Sequence, residues 1–148
     1  MVNIKRCALV DEVALKRYFF RKSQRLRSNK EFATILRRKC CFSNDLVLVG
    51  VAANSCGYPR FGVSVSRACG GAISRNRLKR LARDVFRLEQ HNIRPDYDYL
   101  LIFTQKKTKK SNMARDLVDK QAVFEQVKRS FLELSFRAVQ KAERLKES

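Results

Sequence analysis

Apolar and polar positions recur with two different periods along the chain, and each change of period separates a helix from a strand. The first helical pattern follows "SNKE" at 28–31, where Ser28 and Glu31 have the spacing of a capping box. We expect a helix from about Asn29 to Lys39. Its apolar side chains stand at the i, i+3, i+4 spacing of a packing face and are Phe32, Ile35 and Leu36.

Two apolar segments after this helix predict strands. "DLVLVGVAA" at 45–53 is rich in β-branched residues and too short for an exposed helix, so it predicts a largely buried strand. "RFGVSVS" at 60–66 has Phe61, Val63 and Val65 at every second position, which is typical of a strand with one apolar side. "NSCGYP" at 54–59 is a turn between them. We therefore expect the two strands to pair as a hairpin.

The stretch "SRNRLKRLARDVFR" at 74–87 predicts an amphipathic helix that begins after a break at Gly70 and Gly71. Asn92 and Pro95 supply the signals that end it. Its apolar face consists of Leu78, Leu81, Ala82, Val85 and Phe86. The opposite side gathers Asn76, Lys79, Arg80, Arg83 and Arg87.

The remaining pattern adds one strand and one helix. "YDYLLIF" at 97–103 predicts a strand that completes a β-α-β unit with the strand and helix before it. A last helix occupies much of 112–142, with an apolar seam of Phe124, Val127, Phe131, Leu134 and Ala138. With two or three strands before the 74–87 helix, the fold class expected is α+β, a small mixed sheet packed with helices in an α-β-β-β-α-β-α sandwich. We expect one domain at 23–140, an N-terminal extension at 1–22 and a C-terminal tail at 141–148.

The charge of the chain narrows the class of partner. Its 33 Lys and Arg residues outnumber 14 Asp and Glu residues, which gives a formal net charge of +19. Such an excess needs an anionic partner, either nucleic acid or an anionic membrane. No apolar run is long enough to span a bilayer, and the patch "CALV" at 7–10 ends too early for a signal peptide. We therefore expect a cytoplasmic protein that binds nucleic acid.

Residues that usually carry catalysis or bind metals are sparse. The five cysteines have no C-x-x-C spacing and favour reduced, partly buried thiols over a zinc site or a disulfide framework. The single histidine, His91, stands near a helix C-terminus, where a cation is electrostatically favourable. Asp96 and Asp98 lie beside Pro95, which fits turn chemistry better than metal binding. The sequence predicts no catalytic residue and no metal ligand in the protein.

The basic side of the 74–87 helix has two interpretations. A run of charge is often a solvated surface, but Asp84 alone offsets these cations, so a lattice of i to i+4 salt bridges is missing. The planar guanidinium of arginine can bind two phosphate oxygens at once and stack on bases. We therefore favour binding to the phosphates of DNA or RNA.

Aromatic side chains and a lysine cluster add to this interpretation without deciding it. Phe32, Phe42 and Phe61 could form a surface on which unpaired bases stack, although each also fits a core position. "KKTKK" at 106–110 could add electrostatic affinity for a polyanion or be solvated surface.

The segment "FGVSVSRACGGAISRNRLKRLARDVFR" at 61–87 resembles the bacterial ribonuclease P protein subunit. In that family a strand ending in Ser-Val-Ser leads through Gly to a helix that begins with Arg-Asn-Arg. "RLRSNKEFATIL" is similar to the family's first helix and "DYDYLLIF" to the strand after the basic helix, so the resemblance covers about residues 23–136. It implies a left-handed β-α-β crossover, against the general right-handed preference.

The resemblance also implies a function. The family's protein assists a large catalytic RNA, which removes the 5′ leader of precursor tRNA by hydrolysing one phosphodiester bond. That RNA is the catalyst and holds most of the Mg²⁺. Phe32 matches an aromatic residue of the groove for the single-stranded leader, and Phe42 and Phe61 are further candidates for leader binding. The residues implied to bind the catalytic RNA are Arg67, Arg75, Asn76, Arg77, Lys79, Arg80, Arg83 and Arg87.

This chain departs from the family at the leader groove. Leu36 stands where a second aromatic residue is common on the first helix, and Val49 where the first long strand can carry a tyrosine. A lysine pair that commonly follows Ser-Val-Ser is replaced by Arg67 and Ala68. The resemblance therefore predicts an intact surface for the catalytic RNA and an altered groove.

Two other functions fit the same size and charge. One is a structural RNA-binding protein, such as a ribosomal component. The other is a DNA-binding module that places the 74–87 helix in a major groove. We expect RNA partners, namely the catalytic RNA and precursor tRNA, and no DNA or membrane partner.

Overall fold

The computed structural model describes residues 20–104 and 120–147, with side chains from Val123 onward in the last helix. This part of the chain contains three helices and four strands in the predicted order α-β-β-β-α-β-α. Two short 3-10 helices, Lys22–Gln24 and Arg67–Cys69, precede the first and second helices. Most of the predicted extension at 1–22, and the lysine cluster at 106–110, lie outside the described residues. The helices are α1 (Asn29–Arg37), α2 (Ala72–Glu89) and α3 (Lys120–Glu147), and the strands are β1 (Cys41–Ser43), β2 (Val47–Ala53), β3 (Arg60–Val65) and β4 (Tyr97–Phe103).

The order of strands in the sheet is β1-β2-β4-β3, so the predicted hairpin is wrong. β2 is antiparallel to β1 and to β4, whereas β3 is parallel to β4 and does not pair with β2. The physical reason is burial. β4 is buried along nearly its whole length and takes a central position, where neighbours on both sides satisfy its backbone groups. β4 therefore separates the two strands that the turn at 54–59 connects.

The predicted β-α-β unit is confirmed by the parallel pairing of β3 with β4 around α2. Parallel neighbours need such a crossover because a tight turn cannot return the chain to the same end of the sheet. The left-handed sense implied by the resemblance stays a prediction.

Helices cover the two faces of the sheet unequally. α2 and α3 pack on one face over the main core, in which Val49 and Phe61 are among the buried strand residues. α1 packs on the other face over a smaller cluster that contains Ile35 and Leu100. Because α1 is short, part of its face of the sheet stays open to solvent.

The seam predicted for the last helix is confirmed along its described length. Val127, Phe131, Leu134 and Ala138 are buried against the sheet and α2, and Phe124 is half-buried beside them. The helix continues to Glu147, so most of the segment predicted as a tail at 141–148 is helical.

The N-terminus of α1 has the predicted capping box. The Ser28 hydroxyl accepts a hydrogen bond from the backbone N–H of Glu31 at 3.2 Å. The Glu31 carboxylate accepts hydrogen bonds from the backbone N–H groups of Ser28 at 3.2 Å and Arg27 at 3.0 Å. These bonds fix the start of the helix that presents Phe32.

The capping box predicts a loss of stability in acid. The backbone N–H of Ser28 holds the pKa of Glu31 below its ordinary value of 4.5, with help from the Arg27 N–H and the charge of Arg60, although burial opposes this. A lowered folded-state pKa stabilises the fold fully above about pH 4.5, and this contribution disappears as the pH falls through the folded value. Urea unfolding between pH 6 and 3 should therefore show a smaller loss in Glu31→Gln than in the unaltered protein. Equal losses would contradict this role of the carboxylate.

Candidate nucleic-acid interface

Helix α2 presents a basic surface because its apolar side is fixed in the core. Leu78 is 1% exposed, and Ala82, Val85 and Phe86 are fully buried. Side chains on the other side of the helix are therefore directed away from the sheet. On that side Asn76, Arg77, Arg80 and Arg83 are exposed and Arg87 is half-buried. Arg75 and Lys79 are half-buried beside the buried stripe, and the Nε of Arg75 is buried with no hydrogen-bond partner among the described residues.

Carboxylates neutralise little of this surface. Asp84 pairs with Arg87 at 3.6 Å, and both side chains are substantially exposed. Glu89 is buried and is paired with Lys128 of α3 at 3.4 Å, so its charge is directed into the fold. Within the described residues the other cations of α2 have no carboxylate partner. A local excess of this kind attracts a polyanion.

Arg67 extends the basic surface past the start of α2. It lies exposed in the 3-10 helix Arg67–Cys69, which contacts α2 and is capped by Ser66, whose hydroxyl accepts from the Ala68 N–H at 3.3 Å. Gly70 has a φ of 126°, a value that favours glycine, and it turns the chain into α2. All eight residues implied to bind the catalytic RNA thus lie on α2 or on the short helix that leads into it.

Helix α1 divides its face of the sheet into two parts. On one side Glu31 and Thr34 line a cavity of about 450 Å³ with Asp98. On the other side Phe32 and Leu36, one turn apart, border an open strip where Leu48 and Ile102 are aligned across the sheet. The strip has polar ends at Ser43 and Ser64. We call this half of the face the α1 groove, bordered by Phe32 and Leu36 and floored by Ser43, Leu48, Ile102 and Ser64.

Phe32 is held at the groove by a glycine of β3. A Cβ atom on Gly62 would lie 2.6 Å from the Phe32 ring and 2.9 Å from the Cβ of Leu26. No side chain fits there, and the ring lies directly on the strand. On the neighbouring strand Gly50 gives the same close approach to Ile35, at 3.2 Å from its added Cβ. Both glycines flank Leu100 in the sheet and allow α1 to pack closely.

Substituting this glycine should displace Phe32. We expect Gly62→Ala to lower the free energy of unfolding by about 1–3 kcal/mol, since the Cβ of Leu26 can move only with its backbone, which is hydrogen-bonded to Phe61, and the overpacked contact therefore relaxes little. Gly71→Ala is the matched control, because a Cβ there meets nothing within 4 Å. Urea unfolding of both variants tests this. An unchanged Gly62→Ala stability would show that Phe32 is not seated on β3.

Phe61 and Phe42 lie on the opposite face of the sheet from Phe32. Phe61 is 2% exposed and stacks on Phe86 with 4.7 Å between ring centroids. A ring in that position cannot stack on a base, so predicting leader binding for Phe61 was wrong. Phe42 is half-buried against the main core, with the ammonium group of Lys141 5.8 Å from its ring centroid. The rings therefore do not form one stacking surface.

Val49 is also absent from the groove. It is fully buried in the main core, and alternation along β2 turns Leu48 to the α1 side instead. The departure from the family that bears on the groove is therefore an aliphatic floor of Leu48 and Ile102, together with Leu36, which is 41% exposed.

The sequence missed a polar network beside α1. Asp98 was expected in a turn, but it lies on β4, 6% exposed. Its two carboxylate oxygens accept hydrogen bonds from the guanidinium of Arg60 at 2.8 and 2.6 Å, and one also accepts from Asn54 at 2.7 Å. Glu31 lies 3.5 Å from the same guanidinium. The network joins the 54–59 loop, β3 and β4 and the start of α1.

Catalytic and metal chemistry is not apparent in the described residues. Of the four cysteines described, Cys40 and Cys69 are buried, Cys41 is half-buried and Cys56 is exposed. Burial raises the pKa of the Cys41 thiol, which disfavours a reactive thiolate. His91 is exposed beyond the end of α2, and among the described residues no three Cys, His, Asp or Glu side chains form a group that could hold a metal ion. No described helix is both long and apolar enough to cross a membrane.

Comparisons with known proteins agree on one family. The family model described as Ribonuclease P matches residues 20–143. The chain is 32% identical to the ribonuclease P protein component of Clostridium kluyveri over 107 residues, which cover 68% of this chain and 96% of that protein. It is 39% identical over 82 residues to the component from Clostridium botulinum, covering 55% and 74% of the two chains.

Solved structures give the same result for the fold. The RNase P protein of Thermotoga maritima superposes with a TM-score of 0.61 at 29% identity, over 74% of this chain and 96% of that one. The RNase P protein of Staphylococcus aureus superposes with a TM-score of 0.58 at 24% identity, over 76% and 93% of the two chains, and supports the fold alone.

Proposed function

The chain belongs to the ribonuclease P protein family, and we propose that its two surfaces bind the two RNA molecules of the reaction separately. It is a protein component of the ribonucleoprotein endoribonuclease that processes the 5′ end of tRNA. The observation that carries the proposal is the unneutralised basic surface of α2 on a helix whose opposite side is locked in the core. The comparisons give no support to the alternative of a structural ribosomal protein.

Helix α2 binds the catalytic RNA in this proposal. Its arginines can form charge-assisted, paired hydrogen bonds with phosphate oxygens, and Asn76 adds a neutral donor and acceptor in the same row. Arg67 contacts the same RNA from the adjoining short helix. Because α2 is anchored by Leu78 and Phe86, these side chains are presented on a rigid element.

The α1 groove binds the single-stranded leader. Phe32 is the aromatic ring that can stack on a base, whereas Leu36, Leu48 and Ile102 offer apolar contact without a π face. We expect the groove to accept many leader sequences, because stacking and apolar contact distinguish bases poorly. Ser43 and Ser64 supply hydroxyl groups at its two ends.

The protein assists the reaction without supplying a catalytic residue. Cations on α2 lower the repulsion between the catalytic RNA and its substrate, which raises substrate affinity and reduces the Mg²⁺ requirement. Mg²⁺ supplies the metal-ion chemistry of phosphodiester hydrolysis in such a complex. The described residues offer no cluster of metal ligands, so we propose that RNA holds this metal. A cytoplasmic location, with no DNA or membrane partner, remains a prediction.

The leader groove can be tested by comparing two substrates. With the cognate catalytic RNA present, we expect the protein to raise affinity for precursor tRNA more than for mature tRNA. Phe32→Ala should remove about 1–3 kcal/mol of that difference if one base stacks on the ring. Phe136→Ala is the matched control, because its ring is 65% exposed on α3, which packs on the opposite face of the sheet from the groove. An equal gain for both tRNAs would contradict leader binding.

A further inference from the structure

A small cavity lies where residues 25–27 follow the outer edge of β3. The backbone N–H of Leu26 donates to the carbonyl of Phe61 at 2.9 Å, and Arg25 forms a parallel bridge with Phe61. Beyond this point the two segments separate and leave a cavity of about 170 Å³. Three arginines are among its lining residues, Arg25 and Arg27 from the segment beside β3 and Arg83 from α2. We call this site the arginine notch.

The three arginines of the notch have no carboxylate partner among residues 20–104 and 120–147. All three are exposed. The guanidinium of Arg25 is further fixed by lying 5.1 Å from the ring centroid of Phe20. Phe20 in turn packs edge-on against Phe86 at 5.2 Å, so the position of the Arg25 charge is tied to the core. Fixing a guanidinium in advance lowers the entropy lost when it binds an anion.

The backbone at the notch also favours an anion. Alternate residues of a strand direct their N–H groups to the same edge, so Val63, two residues after Phe61, directs its N–H to this outer edge. Three arginines and a strand edge line a cavity of about 170 Å³, which has room for a tetrahedral anion. Planar guanidinium groups bind the oxygens of such an anion in pairs.

The notch joins the two surfaces already described. Leu26 lines it and, like Phe32 of the α1 groove, also lies against Gly62. Arg83 belongs to the basic face of α2. A strand of RNA that leaves the groove past Phe32 would pass the notch before reaching α2.

We propose that the arginine notch binds one backbone phosphate of RNA, and that this contact joins the leader groove to the basic helix. The inference rests on the proposed function and adds Arg25 and Arg27, which lie outside α2, to the RNA-binding residues. The phosphate belongs either to the leader or to the catalytic RNA, and the two sources share the same chemistry.

The test removes the positive charges of the notch by substitution and, separately, the negative charge of single phosphates in the leader. The variant is Arg25→Gln/Arg27→Gln/Arg83→Gln, and the charge-matched control is Arg37→Gln/Arg129→Gln/Arg144→Gln, whose residues are exposed and distant in sequence from the notch. Affinity is measured for the catalytic RNA alone and for precursor tRNA in the complex. A series of precursor tRNAs is used, and in each of them a neutral methylphosphonate replaces one phosphate linkage of the leader. Circular dichroism and thermal unfolding verify that each variant is folded.

We expect the notch variant to bind at least about tenfold more weakly than the control, with a salt slope reduced by about 0.7–0.9 for the single lost phosphate contact. If the phosphate is in the leader, a methylphosphonate at one linkage should weaken the binding of precursor tRNA in the complex with the unaltered protein. The same substitution should leave binding in the complex with the notch variant unchanged. If it is in the catalytic RNA, the loss should already appear without precursor tRNA. Equal binding of the notch and control variants, while the unaltered protein still stimulates cleavage, would overturn the notch and leave the proposed function standing. Absence of stimulation by the unaltered protein would instead overturn the proposed function.

Discussion

Replacing Arg75, Asn76 and Arg77 together by alanine should weaken binding of the catalytic RNA by several kcal/mol. Each charge-assisted hydrogen bond lost from a folded interface costs about 1.5–3 kcal/mol. Asn76 and Arg77 are exposed on the first turns of α2. Arg75 lies in line with the buried stripe of Leu78 and Ala82 and its Nε is buried, so circular dichroism and thermal unfolding first verify that the variant is folded. Filter binding or fluorescence anisotropy over a range of salt concentrations measures both the affinity and the number of phosphate contacts.

The control for this prediction removes charge elsewhere. Arg37→Ala/Arg129→Ala/Arg144→Ala lowers the net charge by more than the α2 variant does, because Asn76 is neutral. We expect it to lose only general electrostatic affinity. If the α2 variant keeps its affinity and its salt slope, or matches the control, α2 is not the surface that binds the catalytic RNA.

Phe61→Ala should lower the free energy of unfolding by about 3–5 kcal/mol, as expected for deletion of a fully buried aromatic ring. Phe61 stacks on Phe86 at 4.7 Å and meets Phe131 edge-on at 5.9 Å between centroids, so its removal leaves a cavity at the junction of β3, α2 and α3. Urea unfolding followed by circular dichroism measures the loss. The folded fraction of the variant should retain its preference for leader-bearing substrate, because this ring does not reach the groove.

Phe136→Ala is the matched control, because its ring is 65% exposed on the outer side of α3. It should change the free energy of unfolding by less than about 0.5 kcal/mol. A Phe61→Ala protein with unchanged stability but a lost leader preference would restore Phe61 to the groove and contradict its position in the core.

Local periodicity predicted the elements well and their arrangement poorly. β4 was predicted at 97–103 and is found there, and the capping box at Ser28 and Glu31 forms as expected. β1 is only three residues long and lies at the sheet edge, so it carries too few residues to show a period. The pairing of β2 with β4 joins residues far apart in sequence, and no local pattern shows which strand will lie between two others.

The candidate site divides in the same way. The basic face of α2 follows from helical spacing alone, because one buried stripe fixes the direction of every other side chain. The position of the α1 groove does not follow from helical spacing, because it depends on which face of the sheet α1 covers. Alternation already placed Phe61 with Val63 and Val65 on the apolar side of β3, and this signal argued against a stacking role. The pairing of Arg60 with Asp98 and the meeting of Arg25 with Arg83 are long-range contacts that required the fold.

The most direct test of the account is cleavage of precursor tRNA by the cognate catalytic RNA, with and without this protein, at a Mg²⁺ concentration too low for the RNA alone. We predict that the protein restores release of the 5′ leader at the mature end of the tRNA. If the folded protein gives no stimulation over a range of Mg²⁺ concentrations, its role as the working protein subunit of that RNA is contradicted.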